Sequence, residues 1–205
     1  MPRGLTSIGG RSRCSWCGDD PLYVRYHDTE WGFPVHDDTR LFEKVALEGF
    51  QAGLSWFTIL RKRENFRRAF AGFDIGRVAR FGARDVTRLL GDAGIVRHRG
   101  KIESTINNAR HCEDLMDEFG SFANYAWRFE PDGKARPKRL TWSVLRSMAT
   151  TFESRALAKD LKKRGWTFVG PTTMYAFMQS MGLVDDHLHG CDVRMQVELK
   201  RKERG

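Results

Sequence analysis

An all-α fold is what this sequence predicts, and three observations carry it. Apolar residues recur at helical spacing along most of the chain, and no stretch shows the apolar–polar alternation of a half-buried strand. Four metal-ligand side chains also stand in pairs at the two ends, Cys14 and His27 near the start, His187 and Cys191 near the finish. Two thiolates and two imidazoles suit zinc, which bound there would join the N- and C-terminal segments.

The elements follow in chain order. From Leu41, the run LFEKVALEGFQAG places Leu41, Val45, Glu48 and Ala52 on one stripe, with Asp37 or Asp38 as N-cap. Glu48 therefore points where a core residue should. Trp56, Ile59, Leu60, Phe66 and Phe70 predict a helix over 55–70. Further helices are expected over 84–93, 101–118, 122–129, 141–149 and 154–164, the last stopped by Gly165. The final one starts at Gly170-Pro171, where proline suits the first turn, and ends at Gly182. No repeat is found, and EPDGKARPK at 130–138 reads as an exposed loop.

Bulk properties set the frame. A chain of 205 residues is enough for one domain with a sizeable core. With 40% hydrophobic and 30% charged residues, it is neither a membrane protein nor a disordered one. No apolar run approaches the ~18 residues of a span, and residues 1–13 lack the apolar centre of a signal peptide, so a cytoplasmic protein with no membrane partner is expected. Reduced cysteines at 14, 17, 112 and 191 then read as ligands or buried thiols, not disulfides.

The formal charge of +9 points to an anionic partner, but it is unevenly placed. Residues 1–13 hold three arginines and no acid, and residues 193–205 hold five basic and two acidic side chains. A basic N-terminal tail (1–13), a domain (14–192) and a basic C-terminal tail (193–205) are therefore expected. Within the domain, LLGDAGIVRHRGKIES at 89–104 reads as helix, glycine-bearing turn, helix, with Arg97, Arg99 and Lys101 beside it. Such a turn can present backbone amides to a phosphate, a helix-hairpin-helix arrangement. An ordinary helical corner with a glycine cap at Gly94 fits the same spacing.

Several blocks then fall in order: RCSW, DPLYVRYHDTEWG, LEGFQAGLSW, RKREN, DAGIVRHRGKI, LKKRGWTFVGPT and GLVDDHLHGC. Together, from about Cys14 to Cys191, they closely resemble the 3-methyladenine DNA glycosylase I family of repair enzymes. The resemblance implies an all-helical, helix-hairpin-helix glycosylase-like domain that flips a base out of alkylated double-stranded DNA, hydrolyses the bond between 3-methyladenine and deoxyribose, and leaves an abasic site. It carries a structural zinc onto Cys14, His27, His187 and Cys191, base recognition onto Glu48, and aromatic pocket walls onto Trp16, Tyr23, Tyr26 and Trp56. The DNA-facing hairpin falls on 93–101, with Gly94, Arg97, His98, Arg99, Gly100 and Lys101. A monomer is expected.

The chemistry of the residues fits those roles. Methylation at N3 makes adenine cationic and a good leaving group, so electron-rich rings could hold it by cation–π attraction worth ~0.5–2 kcal/mol each. The carboxylate could accept from the exocyclic amine, which guanine lacks there. Glu48 also reads as a buried carboxylate satisfied by neighbours, and Trp31, Trp127, Trp142 and Trp166 read as core filling. Cys17 and His189 are the competing metal ligands, whereas His36, His98 and His111 read as surface or hydrogen-bonding residues. The segment after GKIESTINNAR offers Glu113 and Asp114, which read as solvated helix residues, so no aspartate is expected at the reacting sugar. Phe50, Trp166 and Met181 depart from the family's pattern in ways that alter packing more than chemistry.

Overall fold

The computed structural model describes residues 2–203. Eleven α-helices among them carry the fold: α1 (Pro21–Thr29), α2 (Asp38–Gln51), α3 (Trp56–Ala69), α4 (Ile75–Ala79), α5 (Ala83–Gly91), α6 (Arg99–Phe119), α7 (Phe122–Trp127), α8 (Trp142–Ser147), α9 (Phe152–Lys163), α10 (Pro171–Ser180) and α11 (Arg194–Lys202). None is long and apolar enough to cross a membrane.

The helix starts are encoded locally. Asp37 caps α2, its side chain accepting from Arg40 N at 2.8 Å, and Ser55 caps α3. Pro21 and Pro171 occupy first turns, where a missing N–H costs nothing. α2 is the central helix: every residue from Leu41 to Phe50 is buried, charged ones included. It packs against α3, α6, α7 and α10. Phe50 meets Phe66 with ring centroids 4.7 Å apart, Trp166 stacks on Phe122 at 5.5 Å, and Met181 is buried. The stripe ends one residue early, because α2 stops at Gln51 and Ala52 is exposed.

Three features differ from the sequence reading. A strand hairpin does exist, β1 (Leu5–Ile8) against β2 (Arg11–Cys14), antiparallel with Leu5 opposite Cys14 and Ile8 opposite Arg11. Its turn is Gly9-Gly10, both at positive φ (56° and 74°), the geometry a two-residue hairpin requires. The strands carry too few apolar residues to alternate visibly. Second, α1, α4 and α11 were not signalled by periodicity: α1 has a weak apolar stripe, α4 is one turn long, and α11 buries only Val197. Third, both end segments pack together, since Leu5, Cys14, Leu188, Cys191, Val193 and Val197 share a small apolar cluster. Ser12 and Asp192 tie them further, with two hydrogen bonds of 2.8 and 2.9 Å.

Candidate functional site: a four-ligand cluster beside an aromatic cavity

The four predicted ligands do converge. Cys14, His27, His187 and Cys191 are all buried, and one donor atom from each lies within 4.8 Å of the others. Cys191 Sγ is 3.6 Å from His27 Nε2 and 3.5 Å from His187 Nδ1, and Cys14 Sγ is 3.9 Å from His187 Nδ1. Donors bound at ~2.0–2.3 Å around one tetrahedral ion stand this far apart. The remaining ring nitrogens are anchored. His27 Nδ1 donates to Asp28 Oδ1 at 2.8 Å and His187 Nε2 to the Trp31 carbonyl at 3.0 Å, which turns Nε2 of the first and Nδ1 of the second toward the cluster centre. Asp28 is itself gripped by Arg13 of β2, at 2.9 and 2.7 Å. The Leu188 amide donates to Cys14 Sγ at 3.3 Å. The Cys14 thiol donates to Cys191, which holds the Cys191 thiol far below its ordinary range while that of Cys14 is pushed up.

The rival ligands lie elsewhere. Burial pushes the Cys17 thiol up to about 11, and it points to the Gly18 carbonyl. His189 is exposed. Gly32 permits the assembly: it has φ +87°, and an added Cβ would stand 3.2 Å from the His187 ring.

Next to the cluster lies a cavity of about 240 Å³. The turn at Ser15–Cys17 projects Trp16 into its wall just after ligand Cys14. Tyr23 and Tyr26 come from α1, Glu48 and Gln51 from α2, Trp56 from α3, Leu145 from α8, and Ala176 and Gln179 from α10. All four predicted wall aromatics thus meet around Glu48. Trp16 packs edge-on against Tyr23 at 5.2 Å, and Tyr26 tilts against Trp56 at 5.4 Å. Burial raises both phenols, Tyr23 to about 12 and Tyr26 well above its usual value, so both stay neutral hydroxyls.

Trp31 is buried with Tyr26 and Leu60, as core filling implies, and it also lines this cavity, 4.9 Å from Trp16 and 4.7 Å from the His187 ring, so that it joins the cavity to the cluster. Gln51, Leu145, Ala176 and Gln179 of the lining were not foreseen, nor was Lys44, whose Nζ sits 2.9 Å from Glu48 Oε1. Its spacing, one turn before Glu48, is plain in the sequence, but its burial is not. Glu48 is the lone carboxylate lining the cavity among the described residues, and Glu113 and Asp114 are exposed as expected. The loop before His187 is fixed by buried Asp186, which accepts from Tyr175 at 2.5 Å and Gln179 at 2.8 Å and pairs with Arg136.

A helix, a turn and a helix span the predicted hairpin: α5, residues 92–98, and α6. The turn is pinned by Asp92, which accepts from Gly94 N at 2.7 Å, and by Lys62 and Asn65, which donate to the Gly94 carbonyl. Arg97, His98 and Arg99 are exposed, and His98 caps α6 by accepting from Lys101 N. Gly100 lies half-buried in the first turn of α6. Lys101 turns inward. Its ammonium donates to the carbonyls of Phe50 (2.9 Å) and Ala52 (2.6 Å) at the end of α2.

The methyladenine glycosylase family model matches residues 16–195. The DNA-3-methyladenine glycosylase 1 of Escherichia coli K12 is 49% identical over 180 residues, covering 87% of this chain and 95% of its own. The DNA-3-methyladenine glycosylase of Haemophilus influenzae is 47% identical over 184 residues, covering 88% and 96%. Among solved structures, a Staphylococcus aureus 3-methyladenine DNA glycosylase I, described for its recognition of 3-methyladenine, superposes with a TM-score of 0.81 at 37% identity, over 89% of this chain and 96% of that one. The chain therefore belongs to the methyladenine glycosylase family.

Proposed function

We propose that this protein is a monofunctional DNA glycosylase of base-excision repair, which releases 3-methyladenine from alkylated double-stranded DNA and leaves an abasic site. The observation that carries the proposal is Glu48, a buried carboxylate aimed at a cavity walled by Trp16, Tyr23, Tyr26, Trp31 and Trp56. A base flipped from the duplex would enter this cavity, trading lost stacking for contact with the rings. One Glu48 oxygen is held by Lys44, and the other is available to accept from the exocyclic amine. A guanine would present a carbonyl there, acceptor against acceptor, so the same geometry selects adenine.

The reaction asks little of the protein. As the C1′–N9 bond breaks, its electron pair neutralises the methylated base; water adds to C1′ and gives up a proton. Glu48 orients the base and offers negative charge near the developing sugar cation, without acting as a strong base. Neutral product loses its cation–π attraction and can depart.

The four-ligand cluster supports a structural zinc. Bound there, zinc would be held by Cys14, His27, His187 and Cys191, and a shell closed by four protein ligands serves folding. Residues 92–101 support a helix-hairpin-helix contact with a phosphate, with Arg97 and Arg99 exposed beside it. The protein works as a monomer in the cytoplasm, on duplex DNA.

Chromatography of bases released from methylated duplex DNA tests the proposal, wild type beside Glu48→Ala. Selective release of 3-methyladenine by wild type, lost in the variant, is expected. DNA binding without release would leave a binding protein and end the glycosylase reading.

A further inference from the structure

Lys44 stands one turn before Glu48 on α2 and is buried. Besides Glu48 Oε1, its Nζ reaches the Tyr26 hydroxyl at 2.8 Å and lies 3.1 Å from the centroid of the Trp56 ring. Tyr26 and Trp56 line the base cavity, and they also line a smaller hollow of about 20 Å³. Lys44 belongs to that hollow and is not part of the base cavity's lining. The ammonium thus reaches the pocket through its wall, from the side away from the base.

A cation seated on an indole uses the same ring electrons that would attract a cationic ligand, and it repels such a ligand directly. It also neutralises part of the carboxylate that draws the ligand in. On the reading that the Glu48 cavity holds the excised base, we propose that Lys44 is a specificity-determining positioning residue. It fixes one Glu48 oxygen, leaves the other to the base, and by its charge limits how strongly the pocket prefers a cationic purine over a neutral one.

The surroundings allow this charge to be switched alone. Lys44 is faced by Tyr26 and Glu30 from α1 and its end, by Arg40, Glu43 and Glu48 of α2, and by Arg63 and Arg67 of α3. Glu30 pairs with Arg63 at 2.5 Å and Glu43 with Arg67 at 2.9 Å. Burial, offset in part by Glu48, lowers the Lys44 ammonium to about 8. Burial raises Tyr26, and Arg63 outweighs burial in lowering Glu30. Raising the pH through 8 therefore discharges Lys44 while Tyr26 stays neutral and Glu30 stays ionised.

The test is calorimetric binding of two probes to the full-length metal-loaded protein, below and above that transition. One probe is a fixed cation, a 3,9-dialkylated adeninium; the other is neutral 9-methyladenine. Wild type is expected to bind the cation about tenfold more tightly above the transition, with the neutral purine unchanged. Lys44→Met should bind the cation tightly at both pH values, and Lys44→Arg, charged throughout, weakly at both. A flat wild-type profile, or a Lys44→Arg protein that keeps the wild-type rise, overturns the inference. Failure of wild type to bind either probe, or undiminished binding by Glu48→Gln, would instead overturn the base-cavity reading, and the Lys44 inference with it.

Discussion

A carboxylate left alone on the oily face of α2 would cost several kcal/mol, and so would an ammonium; set one turn apart, each answers the other. Glu48 was visible in the sequence because it broke the stripe of Leu41 and Val45, whereas Lys44 looked like ordinary helix surface until α2 proved to be buried on every side. Their pairing has a signature in stability. The Lys44 ammonium loses its proton near 8 when folded and near 10.5 when unfolded, so between those values the unfolded chain binds more protons and stability rises with pH. Below 8 the burial cost is fully present. Denaturant melts at the two ends of that window should show stability changing more favourably with pH in wild type than in Lys44→Met, the buried thiols contributing the same fall to both. A second residue-scale prediction concerns Asp28, which holds His27 by its far nitrogen. Asp28→Asn should lower metal affinity by about ten- to a hundredfold, measured by competition with a chromophoric chelator, and an unchanged affinity would remove Asp28 from that role.

At the scale of elements, Lys101 links the first turn of α6 to the end of α2. Its ammonium satisfies two carbonyls just beyond Glu48, so Lys101→Met should destabilise the fold by about 1–3 kcal/mol and slow base release. Because that ammonium faces inward, the salt dependence of DNA binding should stay as it was; for the exposed Arg97, Arg97→Ala should lessen the logarithmic salt slope by about one. Filter binding over a salt series separates the two. The long amphipathic helices and their caps were legible because period and cap chemistry agree, as at Asp37 and Ser55. The β1–β2 hairpin was not. Its one local signal is the Gly9-Gly10 dipeptide, and its strands are held by pairing and by residue 192, a partner nearly the whole chain away. The cavity-lining side of Trp31 was not legible for a similar reason, since nothing local tells whether a buried ring also borders a cavity.

At the scale of the molecule, the Cys/His cluster gathers β2, α1 and the loop before α11 into one knot. If the cluster holds the proposed metal, stripping it with a chelator should lower the melting temperature and, in hydrogen exchange, deprotect residues 5–17 and 187–197 before α2 and α6, because those segments share only a small apolar cluster of their own. Uniform deprotection would argue that the cluster is no separate unit. The residue types of this knot could be read from sequence, but their convergence could not, because 173 positions separate Cys14 from His187. That distance also has a mechanical consequence. A pull applied to the two termini would pass from β2 to residue 191 across the cluster, leaving the helices between them slack. In an optical trap the metal-loaded protein should hold until ligand bonds rupture and then unravel at once, while the stripped protein should peel from its ends at lower force.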